Sequence, residues 1–171
     1  MGVMYNIGII GGSDPEEKYL GIAFNVGKLL AARGAVVVCG GLSGVMESAA
    51  KGAFESGGLT VGILPGFHPS EGNSYLTVSL PTGIGYARNF LIVRASDALI
   101  AIDGSNGTLS EASFAVAEGK SVISIDGFEL KRGKPQEGRF IMVESAAEAV
   151  DAALREAAQY RDKCANGRTQ L

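Results

Sequence analysis

The chain has 171 residues, of which 46% are hydrophobic and 19% charged, a composition typical of one globular domain and not of a disordered chain. Its net charge of −3, without any run of lysine or arginine, argues against binding to polymeric nucleic acid, which needs a basic face. With only two cysteines, Cys39 and Cys164, and a single histidine, His68, no Cys/His metal site is predicted.

Short apolar runs that end in small residues alternate with segments of helical spacing along most of the chain. Compact apolar runs are typical of strands, and apolar residues three or four positions apart are typical of helices. The pattern predicts strands at 5–10, 35–41, 59–66, 75–81, 98–105, 120–127 and 140–145, and helices at 14–34, 43–58, 84–96, 107–119 and 146–159. The polar segment 126–139 is predicted to be an exposed loop or an irregular hairpin.

The order of these elements predicts the fold class. Strands that are apolar on both faces and alternate with helices indicate a parallel sheet covered on both sides. The short connections favour an open, doubly wound sheet over an eight-stranded barrel, which needs about 250 residues. We therefore predict a single α/β, Rossmann-like domain over residues 1–158. The tail 159–171 has no apolar period and is predicted to fray.

Three glycine-rich turns, 11–15, 40–44 and 103–108, follow predicted strands. Ligands of such sheets bind at the carboxyl ends of the strands, where N–H groups of helix N-termini hold anions. No turn completes a dinucleotide or Walker A motif, so each serves either tight packing or a small phosphate-bearing ligand. The candidate binding residues are Gly12, Ser13, Gly40, Gly41, Gly44, Met46, Gly104, Ser105, Asn106, Gly107 and Thr108. Met46 either packs beneath a ring of the ligand or belongs to the core.

Arg88 and Glu111 are the candidate catalytic residues. Arg88 lies in the apolar segment 84–96, where a buried guanidinium needs an anionic or carbonyl partner. That partner is either a ligand or a structural ion pair with Glu47 or Glu111. Glu111 lies one helical turn beyond the glycine-rich turn at 103–108, next to the predicted phosphate site.

Three motifs resemble those of a known family. GGLSGVMESAAKGA (40–53), ARNFLIV (87–93) and DGSNGTLSEASFA (103–115) look like the motifs of the LONELY GUY (LOG) proteins. Those proteins hydrolyse cytokinin nucleoside 5′-monophosphates to the free base and ribose 5-phosphate. The resemblance covers about residues 5–125 in order and spacing. The TGIGYARN form and the short chain are closer to the molybdenum-cofactor-carrier-like branch of that superfamily.

The family motif P-G-G-x-G-T-x-x-E falls on residues 103–111. The matching residues are Gly104, Gly107, Thr108 and Glu111. Asp103 replaces the proline and adds negative charge beside the phosphate turn, whereas Ser105 replaces the second glycine with a hydroxyl. The catalytic arginine of the family falls on Arg88, which Asn89 follows here in place of a lysine.

The resemblance implies a phosphoribohydrolase acting on a nucleoside 5′-monophosphate. Glu111 then stabilises the positive charge that develops on the ribose and orients water, while Arg88 holds the substrate or assists departure of the base. No metal or redox cofactor is required. The alternative is a non-catalytic carrier for molybdenum cofactor or another phosphorylated ligand, and a third hypothesis is a structural module without a working site. The expected ligand is an AMP-like nucleotide, phosphate or molybdenum cofactor.

A homodimer or homotetramer is also predicted, because the segment 84–96 is apolar around much of its circumference and the LOG resemblance points the same way. The N-terminus has no signal-peptide pattern, and no apolar run reaches the length of a membrane span. The cytoplasm is therefore the expected location, and no membrane partner is expected.

Overall fold

The computed structural model describes residues 3–104, 106–127 and 138–167. The strands are β1 (Asn6–Gly11), β2 (Val36–Cys39), β3 (Leu59–Leu64), β4 (Val78–Pro81), β5 (Ala98–Ile102), β6 (Val122–Ile125) and β7 (Phe140–Val143). The helices are α1 (Glu17–Ala32), α2 (Val45–Glu55), α3 (Asn89–Ala95), α4 (Asn106–Ala117) and α5 (Ala146–Ala165). Within the described ranges, no helix is both long and apolar enough to cross a membrane.

The seven strands form one sheet in the order β4-β3-β2-β1-β5-β6-β7, and every neighbouring pair is parallel. From β1 the chain builds the sheet outward through β2 to β4, and it then returns to pair β5 with the other side of β1. The strand order therefore reverses between β1 and β5, which is where open α/β sheets bind their ligands. The predicted fold, a single open Rossmann-like α/β domain, is confirmed.

Two hydrophobic layers cover the sheet. Ile7 and Ile9 of β1 face α1, α2 and α5, whereas Ile10 of the same strand faces α3 and α4. Side chains of β5 divide in the same way, with Ile100 in the first layer and Leu99 in the second. This alternation follows from the two-residue period of a strand, and it explains why β2 and β5, which lie on either side of β1, are apolar at every position.

Two predicted boundaries differ from the structure. The segment 84–96 is not one helix, because a 3₁₀ turn at Gly85–Arg88 precedes α3, and its first hydrogen bond joins Ala87 N to Ile84 O. Helix α5 continues past residue 158 to Ala165, and Arg161 in this extension forms an ion pair with Asp97 at 2.6 Å. Most of the predicted loop 126–139 lies outside the described residues.

Candidate functional site

The glycine-rich turns after β1 and β2 touch at the carboxyl edge of the sheet. The N–H of Val45 donates to the carbonyl of Gly12 at 3.0 Å, and the Ser43 hydroxyl donates to the carbonyl of Ser13 at 3.1 Å. Gly44 has a φ of 72°, and a Cβ there would collide with the backbone of Gly12 and Ser13. Only glycine allows this approach.

The third turn, after β5, reaches the same place. Any Cβ at Gly12 would lie 2.8 Å from a carboxylate oxygen of Asp103, so β1 and β5 bring these two turns together. Asn106 begins α4 and is exposed, while Thr108 is buried within the first turn of that helix. Gly104 is exposed, and Ser105 lies outside the described residues. The three turns therefore converge.

A cavity of about 170 Å³ lies between these turns, and we call it the inner cavity. It is lined by Ile9, Ile10, Gly11, Ser13, Leu42, Met46, Tyr86, Arg88, Asn89, Gly107, Thr108 and Glu111. Both candidate catalytic residues therefore line one cavity together with four of the candidate binding residues. Met46 belongs to the hydrophobic core and lines this cavity as well, so the two roles considered for it from the sequence are compatible.

Arg88 and Glu111 face each other across the inner cavity. Each side chain is only 8% exposed, and 3.9 Å separates Nη1 of Arg88 from Oε1 of Glu111. Burial raises the pKa of the Glu111 carboxyl to about 7, although the nearby Arg88 opposes that shift. Burial also lowers the pKa of the Arg88 guanidinium, and Glu111 opposes that change. The two charges thus compensate each other only in part.

The remaining contacts of Arg88 leave one donor free. Its Nη1 donates to Oδ1 of Asn89, but its buried Nε has no hydrogen-bond partner within the described part of the chain. Gly40 provides the space for this guanidinium, because a Cβ there would lie 2.5 Å from Nη2. Glu47, the other anion considered from the sequence, lines a separate cavity beside Lys51.

Gly41 has a different environment from Gly40. A Cβ on Gly41 would meet the side chains of Leu64 and Leu76 and the backbone of Gly62, so this residue packs against β3. It does not line the inner cavity. Within the described ranges, no three His, Cys, Asp or Glu side chains come together to form a metal site.

A second cavity adjoins the first, and sequence reasoning did not identify it. This outer cleft has a volume of about 790 Å³ and lies between the 3₁₀ turn and α4. It is lined by Ser13, Tyr86, Ala87, Asn89, Phe90, Asn106, Gly107, Ser110 and Phe114. Tyr86 is 92% exposed, although it is only two residues from the buried Arg88. The signal available in the sequence was a large aromatic residue, Tyr86, two positions before the candidate catalytic residue Arg88.

Comparison with known proteins gives consistent matches. The sequence model of the SLOG cluster4 family matches residues 4–150. An uncharacterised protein of Archaeoglobus fulgidus is 45% identical over 122 residues, which are 71% of this chain and 80% of that protein. The structure of the molybdenum cofactor binding protein of Rippkaea orientalis is 29% identical, with a TM-score of 0.80, and the match covers 90% of this chain and 97% of that one. A Moco carrier protein of Chlamydomonas reinhardtii is 28% identical, with a TM-score of 0.80, over 92% of this chain and 99% of that one.

Proposed function

The chain belongs to the SLOG cluster4 family, and from this premise we propose that its inner cavity binds a small phosphorylated ligand. The phosphate lies at the N-terminus of α4, and the adjoining part of the ligand lies against Arg88 and Glu111. The observation that carries this proposal is the Nε of Arg88, which is buried and unpaired among the described residues. A buried cation with an unused donor is stabilised when an anion or carbonyl binds beside it.

The geometry around α4 supports the phosphate position. Gly107 lies in the first turn of α4 and lines the cavity beside Arg88. The first turn of a helix presents N–H groups that lack partners within the helix, and the helix dipole favours negative charge there. A helix N-terminus and a buried guanidinium at the same cavity together form a suitable site for an anion.

The ligand that we propose is a phosphorylated pterin such as molybdenum cofactor, carried without chemical change. Two structural neighbours that match nearly the whole chain are named for binding or carrying this cofactor. The residues fit such a group, because the unpaired donor of Arg88 can meet the phosphate or an adjoining oxygen, and the outer cleft leaves about 790 Å³ beside it. The cofactor is the cargo in this proposal and takes no part in a reaction on the protein.

The second candidate function is hydrolysis of a nucleoside 5′-monophosphate, and the separation of 3.9 Å between Arg88 and Glu111 favours it. In this reaction the bond between C1′ of the ribose and the base nitrogen breaks. Water adds its oxygen to C1′, and one of its protons ends on the base. An ionised Glu111 stabilises the positive charge that develops on the ribose. Because the pKa of Glu111 is about 7, turnover should rise as the pH increases through neutrality.

One set of measurements tests both candidates. Purified protein is incubated with a panel of nucleoside 5′-monophosphates, and released base is quantified. Bound pterin is extracted from protein made in cells that synthesise molybdenum cofactor, and thermal shifts are recorded with phosphate and each nucleotide. A carrier releases no base and retains pterin, whereas a hydrolase releases base.

Glu111→Gln separates the two candidates further. For a hydrolase, we expect turnover to fall by about 10²–10³ with little change in nucleotide affinity, because the lost interaction acts mainly in the transition state. For a carrier, we expect pterin retention to remain largely unchanged. The control is Arg33→Ala, which removes an exposed cation that pairs with Asp151 outside both cavities. If no phosphorylated compound raises the melting temperature and no pterin is retained, the proposal is wrong.

We also propose that the protein forms a homodimer or homotetramer and acts in the cytoplasm. Exposed apolar side chains lie on both sides of Arg88 in the sequence, with Ile84 49% and Leu91 39% exposed. Apolar surface of this kind favours association between copies of the chain. Light scattering at micromolar concentration checks this, and a mass of one chain would contradict it.

A further inference from the structure

We propose that the outer cleft binds the planar ring of the ligand, and that this ring is a bicyclic heteroaromatic with a lactam or amino edge, as in a pterin or a purine. The inference rests on the proposed function, because it assumes that the phosphate of the same ligand occupies the inner cavity. The cleft combines aromatic side chains with neutral hydrogen-bonding groups.

Aromatic side chains occupy both sides of the outer cleft. Phe90 and Phe114 meet edge to face, with ring centroids 5.3 Å apart and planes at 84°, and the Arg94 guanidinium lies 4.8 Å from the Phe90 ring. Phe90 is therefore already engaged by two neighbours. Phe114 is 45% exposed and Tyr86 is 92% exposed, so these two rings are available to a ligand. Planar heteroaromatic rings stack on exposed aromatic faces of this kind.

Polar groups that line the same cleft match the edge of such a ligand. The Oδ1 of Asn89 accepts a hydrogen bond from Arg88, which leaves the amide N–H groups of Asn89 to donate. The Ser110 hydroxyl donates to the carbonyl of Gly107 at 2.7 Å, so its oxygen is left to accept. The exposed Asn106 can donate and accept. A lactam has both C=O and N–H groups and an amino group has N–H groups, so an edge of either kind fits this set.

The two cavities are continuous, so one ligand can occupy both. Ser13, Tyr86, Asn89 and Gly107 line the outer cleft and the inner cavity alike. Among the described residues, no charged side chain lines the outer cleft, whereas the inner cavity contains Arg88 and Glu111. The charged part of a ligand is therefore expected in the inner cavity and the neutral ring in the outer cleft.

A binding series tests this assignment. The compounds are ribose 5-phosphate, which has no ring system, GMP, a pterin monophosphate, and the unphosphorylated pterin. Affinities are measured by calorimetry and by pterin fluorescence. The chain contains no tryptophan, so the fluorescence of the protein itself interferes little with that of the pterin. Wild type should bind at least one ring-bearing phosphate about tenfold more tightly than ribose 5-phosphate, since stacking of one ring contributes on this scale. The comparison of GMP with the pterin compounds decides between a purine and a pterin.

Tyr86→Ser should remove most of that preference and leave the affinity for ribose 5-phosphate unchanged. The matched control is Phe67→Ser, since Phe67 is also an exposed aromatic residue, at 76%, but lies outside the cleft. An equal loss of affinity for ring-bearing and ringless compounds would overturn the inference, as would wild type that shows no preference. A variant that changes only the oligomeric mass would likewise overturn it and assign Tyr86 to an interface between copies.

Failure of the proposed function gives a different result. If neither ribose 5-phosphate nor inorganic phosphate binds to wild type, the phosphate assignment is wrong. The unphosphorylated pterin still decides the ring assignment in that case, because its binding and its sensitivity to Tyr86→Ser do not depend on a phosphate. If phosphate binds but every ring-bearing compound behaves like ribose 5-phosphate, only the inference about the outer cleft is wrong.

Discussion

Buried charges at the two edges of the sheet differ in how completely they are paired. At the amino edge, Asp97 accepts from Nε and Nη2 of Arg161 at 2.9 and 2.6 Å and from the N–H of Asn6 at 2.8 Å. At the carboxyl edge, Arg88 and Glu111 stand 3.9 Å apart, and the Nε of Arg88 has no partner among the described residues. The complete hydrogen bonding that Asp97 has at the amino edge is therefore missing from Arg88 and Glu111 at the carboxyl edge.

Other charges at the amino edge follow the pattern of Asp97. The Lys120 ammonium donates to the carbonyls of Val93 and Arg94 at 2.6 and 3.0 Å, where α3 ends. The Glu156 carboxylate accepts from Ser121 at 2.6 Å and from Arg139 at 2.9 Å. These groups join helices to the sheet and need no ligand. Glu118 at this edge has one buried oxygen without a partner among the described residues, but its other oxygen accepts from Arg94 at 2.7 Å. Arg88 and Glu111 lack such a close pairing, which we expect of charges kept for a ligand.

The largest expected effect is on ligand affinity. Arg88→Ala should weaken binding of phosphorylated ligands by about 100-fold, because it removes charge-assisted hydrogen bonds to the ligand. The variant also leaves the buried Glu111 without its cation, so we expect the free energy of unfolding to fall as well, and affinity is compared on folded protein. Calorimetry with a nucleotide or a pterin monophosphate measures the affinity. Arg33→Ala is the control and should leave the affinity unchanged; equal losses in both variants would contradict the comparison.

The next effect is on the pH dependence of stability. Burial raises the pKa of Glu111 from an ordinary value of 4.5 to about 7, so the folded state binds the proton more tightly than the unfolded state. The contribution of this group is therefore fully present below about pH 4.5 and is lost as the pH rises through about 7. We expect a fall in the free energy of unfolding on the order of 2 kcal/mol between about pH 5 and about pH 7.

Urea denaturation of wild type and Glu111→Gln at a series of pH values measures this effect. The difference between the two proteins isolates Glu111 from other titrating groups, and that difference should change across the same pH range. Parallel curves for the two proteins would show that the carboxyl is not held in the low-dielectric site described here. Added phosphorylated ligand should alter the slope in wild type, because it changes the charge beside Glu111.

The amino edge should respond in stability alone. Asp97→Ala leaves Arg161 and the N–H of Asn6 without their partner, and we expect the free energy of unfolding to fall by about 1–2 kcal/mol. The effect is smaller than for a fully buried pair, because the Arg161 side chain is 37% exposed and screened by solvent. Ligand affinity should stay at the wild-type value. A loss of affinity as large as the loss in Arg88→Ala would show that the two edges are not independent.

Much of the fold could be predicted from the sequence, because local patterns determine it. The apolar run 98–102 is a strand of a parallel sheet covered on both sides, as its composition predicts, and a glycine-rich turn follows it. The extension of α5 beyond 158 could not be predicted in this way. It carries Arg161, whose partner Asp97 lies 64 positions away in the sequence. No local pattern reports such a contact.

The candidate site, like the fold, could be predicted from the sequence only in part. The resemblance of motifs selected Arg88 and Glu111, and the structure places both in one cavity. Sequence reasoning could not choose between Glu47 and Glu111 as the partner of Arg88, because the choice depends on how the helices are arranged. It also missed the outer cleft, whose aromatic residues Tyr86 and Phe114 come from separate elements and follow no common period.

The smallest expected effect concerns an ion pair that belongs to neither edge. Arg33 and Asp151 join α1 to α5 at 2.8 Å, which is closer than the 3.9 Å between Arg88 and Glu111, but both side chains are 53% exposed. Water screens their attraction and solvates each partner alone, so Arg33→Ala should lower the free energy of unfolding by less than about 0.5 kcal/mol. Urea denaturation at low and high salt measures it, and the effect should shrink further at high salt. If this exposed pair stabilised the fold as much as Asp97 does, short distance and not burial would determine how much an ion pair contributes to the free energy of unfolding. The long separation of Arg88 from Glu111 would then no longer indicate a site kept for a ligand.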